Sequence, residues 1–162
     1  MAVASERIHA TAIAVGQRAI IIRGPSGAGK SDLALRCLGV SASQLVASPA
    51  RLVADDQVLL TRDGPTLSVS APQTLLGRLE VRGLGIIAVD PEQDARVVLV
   101  ADLTERAQIE RYPDPWPMVD LLGLNVPLLR VFAFDASTPL KLLAALALPE
   151  LPPVSDPNAA PD

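Results

Sequence analysis

Eight consecutive residues, Gly24-Pro25-Ser26-Gly27-Ala28-Gly29-Lys30-Ser31, satisfy the spacing G-x-x-x-x-G-K-[ST] at every fixed position. Residues of these types at this spacing suit a chain of phosphates. The glycines let the backbone curl into a ring of N–H donors with no Cβ in the way. Lys30 reaches the β- and γ-oxygens as a point charge, and Ser31 offers its hydroxyl to Mg²⁺ at the positive end of a following helix. Gly24, Pro25, Ser26, Gly27, Ala28, Gly29, Lys30 and Ser31 are therefore expected to bind a nucleoside triphosphate. Such a site does not name a reaction: a hydrolytic switch, a small-molecule kinase and a protein kinase all begin here.

Leu52-Val53-Ala54-Asp55-Asp56 is an apolar run ending in two acids. One carboxylate there can hold the Mg²⁺ shell or a water beside the γ-phosphate, and the second can accept a proton from an attacking hydroxyl. The alternative is a solvated strand end with turn duties. Adjacent strand residues face opposite sides, so both acids serve one site only if the strand ends or kinks at them. His9, the sole histidine, either orients a carboxylate or phosphate oxygen or is structural. Glu80 and Arg82 stand two apart and share one strand face, as a metal ligand and a phosphate contact require; a cross-strand ion pair before a glycine turn is the alternative. Asp32 lies in a first helical turn, where the helix dipole alone favours an acid.

These groups need elements to position them. Ala19–Arg23 is a short continuous apolar run, read as a buried strand feeding the glycine loop. Ser31–Leu38 reads as a helix leaving it, with Gly39 at its C-terminal end. Arg51–Thr61 reads as one strand, and Arg62–Pro65 as a turn into the strand Thr66–Ala71. Arg78–Arg82 and Ile86–Val89 flank a Gly-Leu-Gly bend. Arg96–Ala101 and Leu128–Phe134 are further strands, and Thr138–Leu148 a final helix with Pro139 in its first turn. This order is no regular β-α alternation, so a mixed sheet with few helices is expected. Residues 1–8 read as a short extension and 9–148 as the domain. Pro149–Asp162, with five prolines and three acids, reads as a disordered tail.

Composition excludes several function classes. A length of 162 residues suits one domain, and an apolar fraction of 49% supplies a core. A net charge of −4 offers no basic excess for a phosphate backbone, and one Trp, one Tyr and two Phe leave few platforms for stacking many bases. Nucleic acid is not an expected partner. No run approaches the ~20 apolar residues that span a bilayer, and the first ten residues lack a secretory pattern, so no membrane association and a cytoplasmic location are expected. The single cysteine, Cys37, fits helix core better than redox chemistry. Trp116, among prolines, is either a partner anchor or loop packing.

Four segments, in order, resemble the catalytic domain of the HPr kinase/phosphorylase family, whose members act on a serine of the phosphocarrier protein HPr. They are Ile8-His9, the glycine loop ending 22 positions later at Ser31, Arg51–Asp56 (RLVADD) and Leu79–Ile87 (LEVRGLGII), the last being the most specific. The likeness runs from Ile8 to Arg111. It implies an α/β, P-loop fold with a phosphoenolpyruvate-carboxykinase-like mixed β-sheet, ATP and Mg²⁺ as cofactors, an HPr-like phosphocarrier as partner, and a hexamer. Position by position, Lys30 matches the catalytic lysine, Ser31 and Glu80 the Mg²⁺ ligands, and His9 the active-site histidine. One of Asp55 and Asp56 matches the general base; Asp56 is favoured, with Asp55 as its metal-shell neighbour. Arg82–Ile87 match residues lining the site. Arg111, in Ile109-Glu110-Arg111-Tyr112, is a looser match to a family arginine.

Three departures accompany the likeness. Only eight residues precede His9, so the family's N-terminal domain is expected to be missing. The segment Val40–Ala50 is longer than usual. A late Pro-Gly-Arg-Asn stretch used in dephosphorylation is not recognisable near Val126–Val131. Short family members occur beside incomplete sugar-transport phosphotransferase systems, which implies a regulatory kinase. The rival enzyme reading is a small-molecule kinase, which needs an arginine-rich lid that the sequence does not offer. The rival outside catalysis is a module that senses ATP without turnover.

Overall fold

The strand that feeds the glycine loop is apolar at consecutive positions because both of its faces are covered. In the computed structural model, which describes residues 3–161, Ile20 and Ile22 pack on one face with Leu33, Cys37 and Leu142, while Ala19 and Ile21 pack on the other with Val58, Leu60 and Val69. Two apolar layers therefore sandwich a single sheet, one of them roofed by helices.

The strands are β1 (Ala4–His9), β2 (Thr11–Val15), β3 (Arg18–Arg23), β4 (Arg51–Ala54), β5 (Gln57–Asp63), β6 (Thr66–Ser70), β7 (Arg78–Val81), β8 (Gly85–Ala88), β9 (Ala95–Leu103), β10 (Met118–Leu121) and β11 (Leu124–Val131). Two α-helices, α1 (Lys30–Leu38) and α2 (Thr138–Ala145), occur among the described residues. Nine strands form one mixed sheet in the order β1-β5-β6-β9-β3-β2-β4, with β11 on β9 and β10 on β11. β3 runs parallel to β9, and β9 to β11; the other pairs are antiparallel. β9 carries β3 along one edge. Its other edge is divided, with β6 beside Ala95 and Arg96 and β11 beside Val100–Leu103. This division lets the sheet curl rather than extend flat. β7 and β8 form a separate hairpin, whose Leu79 and Val81 join the layer under α1. The architecture is the mixed sheet with few helices that the sequence predicts.

Four expectations need correction. Residues 4–8, read as part of an extension, form with His9 the edge strand β1, paired with β5 at all six positions. Its side chains are mostly exposed, so it carries no apolar alternation to read; backbone pairing holds it, with Ile8 as its one contact to the apolar layer. Arg51–Thr61 is two strands, because Asp56 adopts a left-handed φ of 69° and ends the first. The final helix stops at Ala145, short of Leu148. The segment from Pro149 docks instead of being disordered: Ser155 exchanges backbone hydrogen bonds with Asn125 at 2.8 and 3.0 Å, and Leu151 and Val154 pack against the two apolar layers. Its prolines lack donors that a sheet would have to satisfy, and composition cannot see the surface that receives them. Asp162 lies outside the described residues. Among the described residues no helix is long and apolar enough to cross a membrane.

Candidate active site

Arg23 ends β3, and the chain turns through the glycine loop into α1. Gly29 sits at the N-terminal cap with φ 100°, and no side chain caps the helix, so no side chain claims its first-turn N–H groups. Such N–H groups, with the dipole behind them, attract anions. Lys30 is only 6% exposed, and its Nζ donates to the carbonyls of Gly24 at 2.7 Å and Pro25 at 3.0 Å. The lysine thereby lies folded across the loop it follows.

The next residue turns toward β4. Ser31 Oγ donates to Asp55 Oδ1 at 2.6 Å. Asp55 is 5% exposed. It also accepts from Thr11 Oγ1 at 3.0 Å and, on Oδ2, from the backbone N–H of Glu80 at 3.1 Å. Donors from β2, α1 and β7 therefore converge on one buried carboxylate.

Asp56 lies one residue further in a different environment. Its left-handed backbone turns the chain back into β5, with Ala10 N–H donating to Asp56 O at 3.2 Å and Gln57 N–H to Asp55 O at 2.8 Å. His9 Nδ1 lies 3.4 Å from Asp56 Oδ1, and the two side chains are 51% and 59% exposed. The kink that the sequence demanded for joint use of both acids is present. It leaves one acid buried against Ser31 and its neighbour at the surface beside the imidazole.

Other candidate residues fall outside this grouping. Glu80 reaches Asp55 through its backbone N–H, while its carboxylate stands on the exposed face of β7. Arg82, at the exposed tip of the hairpin, makes no ion pair among the described residues. Asp32 pairs with Arg36 one turn along α1 at 3.0 Å, which accounts for it within the helix. Arg111 lines a cleft of about 360 Å³ with Trp116, Leu129, Lys141 and Leu148, and no residue of the glycine loop lines that cleft. Cys37 is buried under α1, where burial pushes its thiol up to about 12.

Three features escaped sequence reasoning. Thr11 read as an ordinary strand former, and only the packing of β2 shows its hydroxyl on Asp55. Arg23 and Asp102 form a two-point ion pair at 2.7 and 2.9 Å across the β3–β9 register. The Asp102 carboxylate holds the Arg23 guanidinium above its already high ordinary value. An acid ending the apolar run of β9 was the available signal. Phe134, 61% exposed, abuts Gly29.

The donor set suits a small hard cation: a hydroxyl and a carboxylate oxygen meet at one point beside a phosphate loop, the oxygen ligation Mg²⁺ prefers with substrate phosphates completing its shell. No cluster of three or more His, Cys, Asp or Glu side chains able to hold a metal occurs among the described residues, so any ion here relies on the bound phosphates for further ligands.

The model of the family described as HPr Serine kinase C-terminal domain matches residues 2–133. The chain belongs to the HPr kinase family. Proteins named HPr kinase/phosphorylase are similar to this family member: that of Limosilactobacillus reuteri is 32% identical over 131 residues, 74% of this chain and 38% of the relative. That of Bordetella pertussis is 33% identical over 130 residues, 74% of this chain and 40% of the relative. That of Chlorobium luteolum is 28% identical over 155 residues, 88% and 44%. The chain thus spans less than half the length of these curated relatives. A solved structure, the Hpr(Ser) kinase/phosphatase from Coxiella burnetii, matches with a TM-score of 0.71 at 23% identity, covering 88% of each chain. The curled sheet is therefore the HPr kinase C-terminal fold.

Proposed function

We propose that this chain is an ATP- and Mg²⁺-dependent protein-serine kinase whose acceptor is an HPr-like phosphocarrier protein, working in the control of a phosphotransferase system. The observation that carries the reading is the division of labour between adjacent carboxylates: Asp55 buried on Ser31, Asp56 exposed beside His9. In this reading the glycine loop and the start of α1 hold the triphosphate. Lys30 leaves the Gly24 and Pro25 carbonyls for the β- and γ-oxygens, where its charge counters what develops on the transferred group. Ser31 and Asp55 hold Mg²⁺, which when bound neutralises phosphate charge. Asp56 accepts the proton of the incoming serine hydroxyl as the serine oxygen bonds to phosphorus and the bond to the β-phosphate oxygen breaks. His9 orients Asp56. Glu80 joins the metal shell only if its side chain turns inward from the exposed face, and Arg111 serves only if its loop approaches.

Phosphotransfer from ATP to the HPr-like protein, with the modified residue mapped, tests this. Lys30→Ala is expected to abolish transfer. A Lys30→Ala protein that transfers at the unaltered rate overturns the assignment, and ATP binding without any phosphoserine product favours a nucleotide-sensing module. The reverse reaction has its own assay: pyrophosphate released from serine-phosphorylated acceptor and inorganic phosphate.

A further inference from the structure

β3, β4, β9 and β11 all run in one direction, so the residues that follow each of them gather at one edge of the sheet. The glycine loop follows β3 at the centre. Asp55 and Asp56 follow β4, two places away on one flank; Phe132–Asp135 follow β11, two places away on the other. A triphosphate whose transferred end lies toward Asp56 therefore points its remaining end toward Phe134.

What stands there is an open aromatic face on a fixed support. The chain has two phenylalanines, and both are in this segment, their rings edge to face at 5.8 Å. Phe134 abuts Gly29 of the phosphate loop: a Cβ on that glycine would lie 3.1 Å from the ring Cζ. Yet the residue remains 61% exposed. A phenyl ring left in water beside a ligand site has lost burial that most of the core enjoys, and stacking of a ligand restores it. The support is rigid. Arg36 of α1 donates to the carbonyls of Ala133 and Asp135, and Thr138 Oγ1 to that of Phe132 at 2.5 Å. Arg106 lies over the Phe132 ring at 4.8 Å and pairs with Asp135 at 2.5 Å.

We infer that Phe134 is the platform on which the nucleobase of the bound triphosphate stacks, with Arg106, Phe132 and Asp135 holding its ring in place. This rests on the reading of the glycine loop as a nucleotide site and adds the subsite for its planar heteroaromatic end. Titration calorimetry with ATP and with inorganic tripolyphosphate, each with Mg²⁺, tests it. Phe134→Ala is expected to bind ATP about 5- to 100-fold more weakly, the usual range for a lost base–aromatic stack, with tripolyphosphate affinity unchanged. Phe134→Leu, which keeps apolar bulk against Gly29 without a π-face, is expected to move the same way, and Phe134→Trp to keep ATP affinity. Unchanged ATP affinity in the Ala and Leu variants overturns the inference. So does an equal loss for both ligands, which would make the ring a prop for the loop. Lys30→Ala separates the two claims: losing tripolyphosphate there supports the phosphate site whatever Phe134 does. An unaltered chain that binds neither ligand overturns both.

Discussion

Asp55 and Asp56 share a peptide bond but differ in surroundings, and their replacements should differ accordingly. Asp55→Asn presents an amide to the Ser31 and Thr11 hydroxyls and the Glu80 N–H, all of which now donate to a carboxylate. Losing buried acceptors for such donors costs about 1–3 kcal/mol. Urea unfolding should register that loss, and calorimetry should show weaker Mg²⁺–ATP binding. Asp56→Asn sits at the surface, so its stability should change by less than about 0.5 kcal/mol. Its ATP affinity should hold while phosphotransfer falls about 10²–10⁴-fold, the usual contribution of a positioned base. If instead Asp55→Asn spares ATP binding and Asp56→Asn weakens it, the two roles are exchanged.

Helix α1 connects this chemistry to the core. Its N-terminus presents Lys30 and Ser31, while Leu33, Ala34 and Cys37 are buried beneath it. The Cys37 thiol therefore reports on the seating of the helix. Burial raises its pKa from 9.0 to about 12, so in the folded chain it stays protonated where the unfolded chain already ionises. The unfolded state then binds fewer protons above the unfolded value, and stability falls as pH rises from about 9 toward 12. Denaturant midpoints measured across that interval should decline, and Cys37→Ala should flatten the decline. Thiol labelling at pH 8 should be slow in the native chain and fast in denaturant.

At the scale of the whole molecule, the segment after α2 packs back onto the sheet. Arg62 on β5 donates to the carbonyls of Gly64 and Leu122, each at 2.9 Å, and pairs with Asp156 at 2.6 Å. One guanidinium thus joins a hairpin, the β10–β11 turn and the chain's last segment. Asp156→Ala should lower stability by about 1.5–3 kcal/mol, the usual worth of a hydrogen bond to a charged group, and leave ATP affinity unchanged; a variant as stable as the parent would mean the segment docks without this bond. Proline-rich composition concealed that docking, because its anchors lie some 30 to 94 positions away in sequence. The glycine loop, by contrast, was readable residue by residue. Backbone geometry, phosphate chemistry and helix onset there are local, whereas the break at Asp55-Asp56 was legible only as a condition for joint use of the two acids, in a run read as one strand. Local residue types also foretold a mixed sheet with few helices. Pairing between distant segments settled the remainder: which carboxylate is buried, that Thr11 and the Glu80 N–H hold it, that Arg111 lines another cleft, and that Phe134 stands against Gly29. Hydrogen bonds and burial of that kind depend on the folding of strands across one another, and no window of sequence contains both partners.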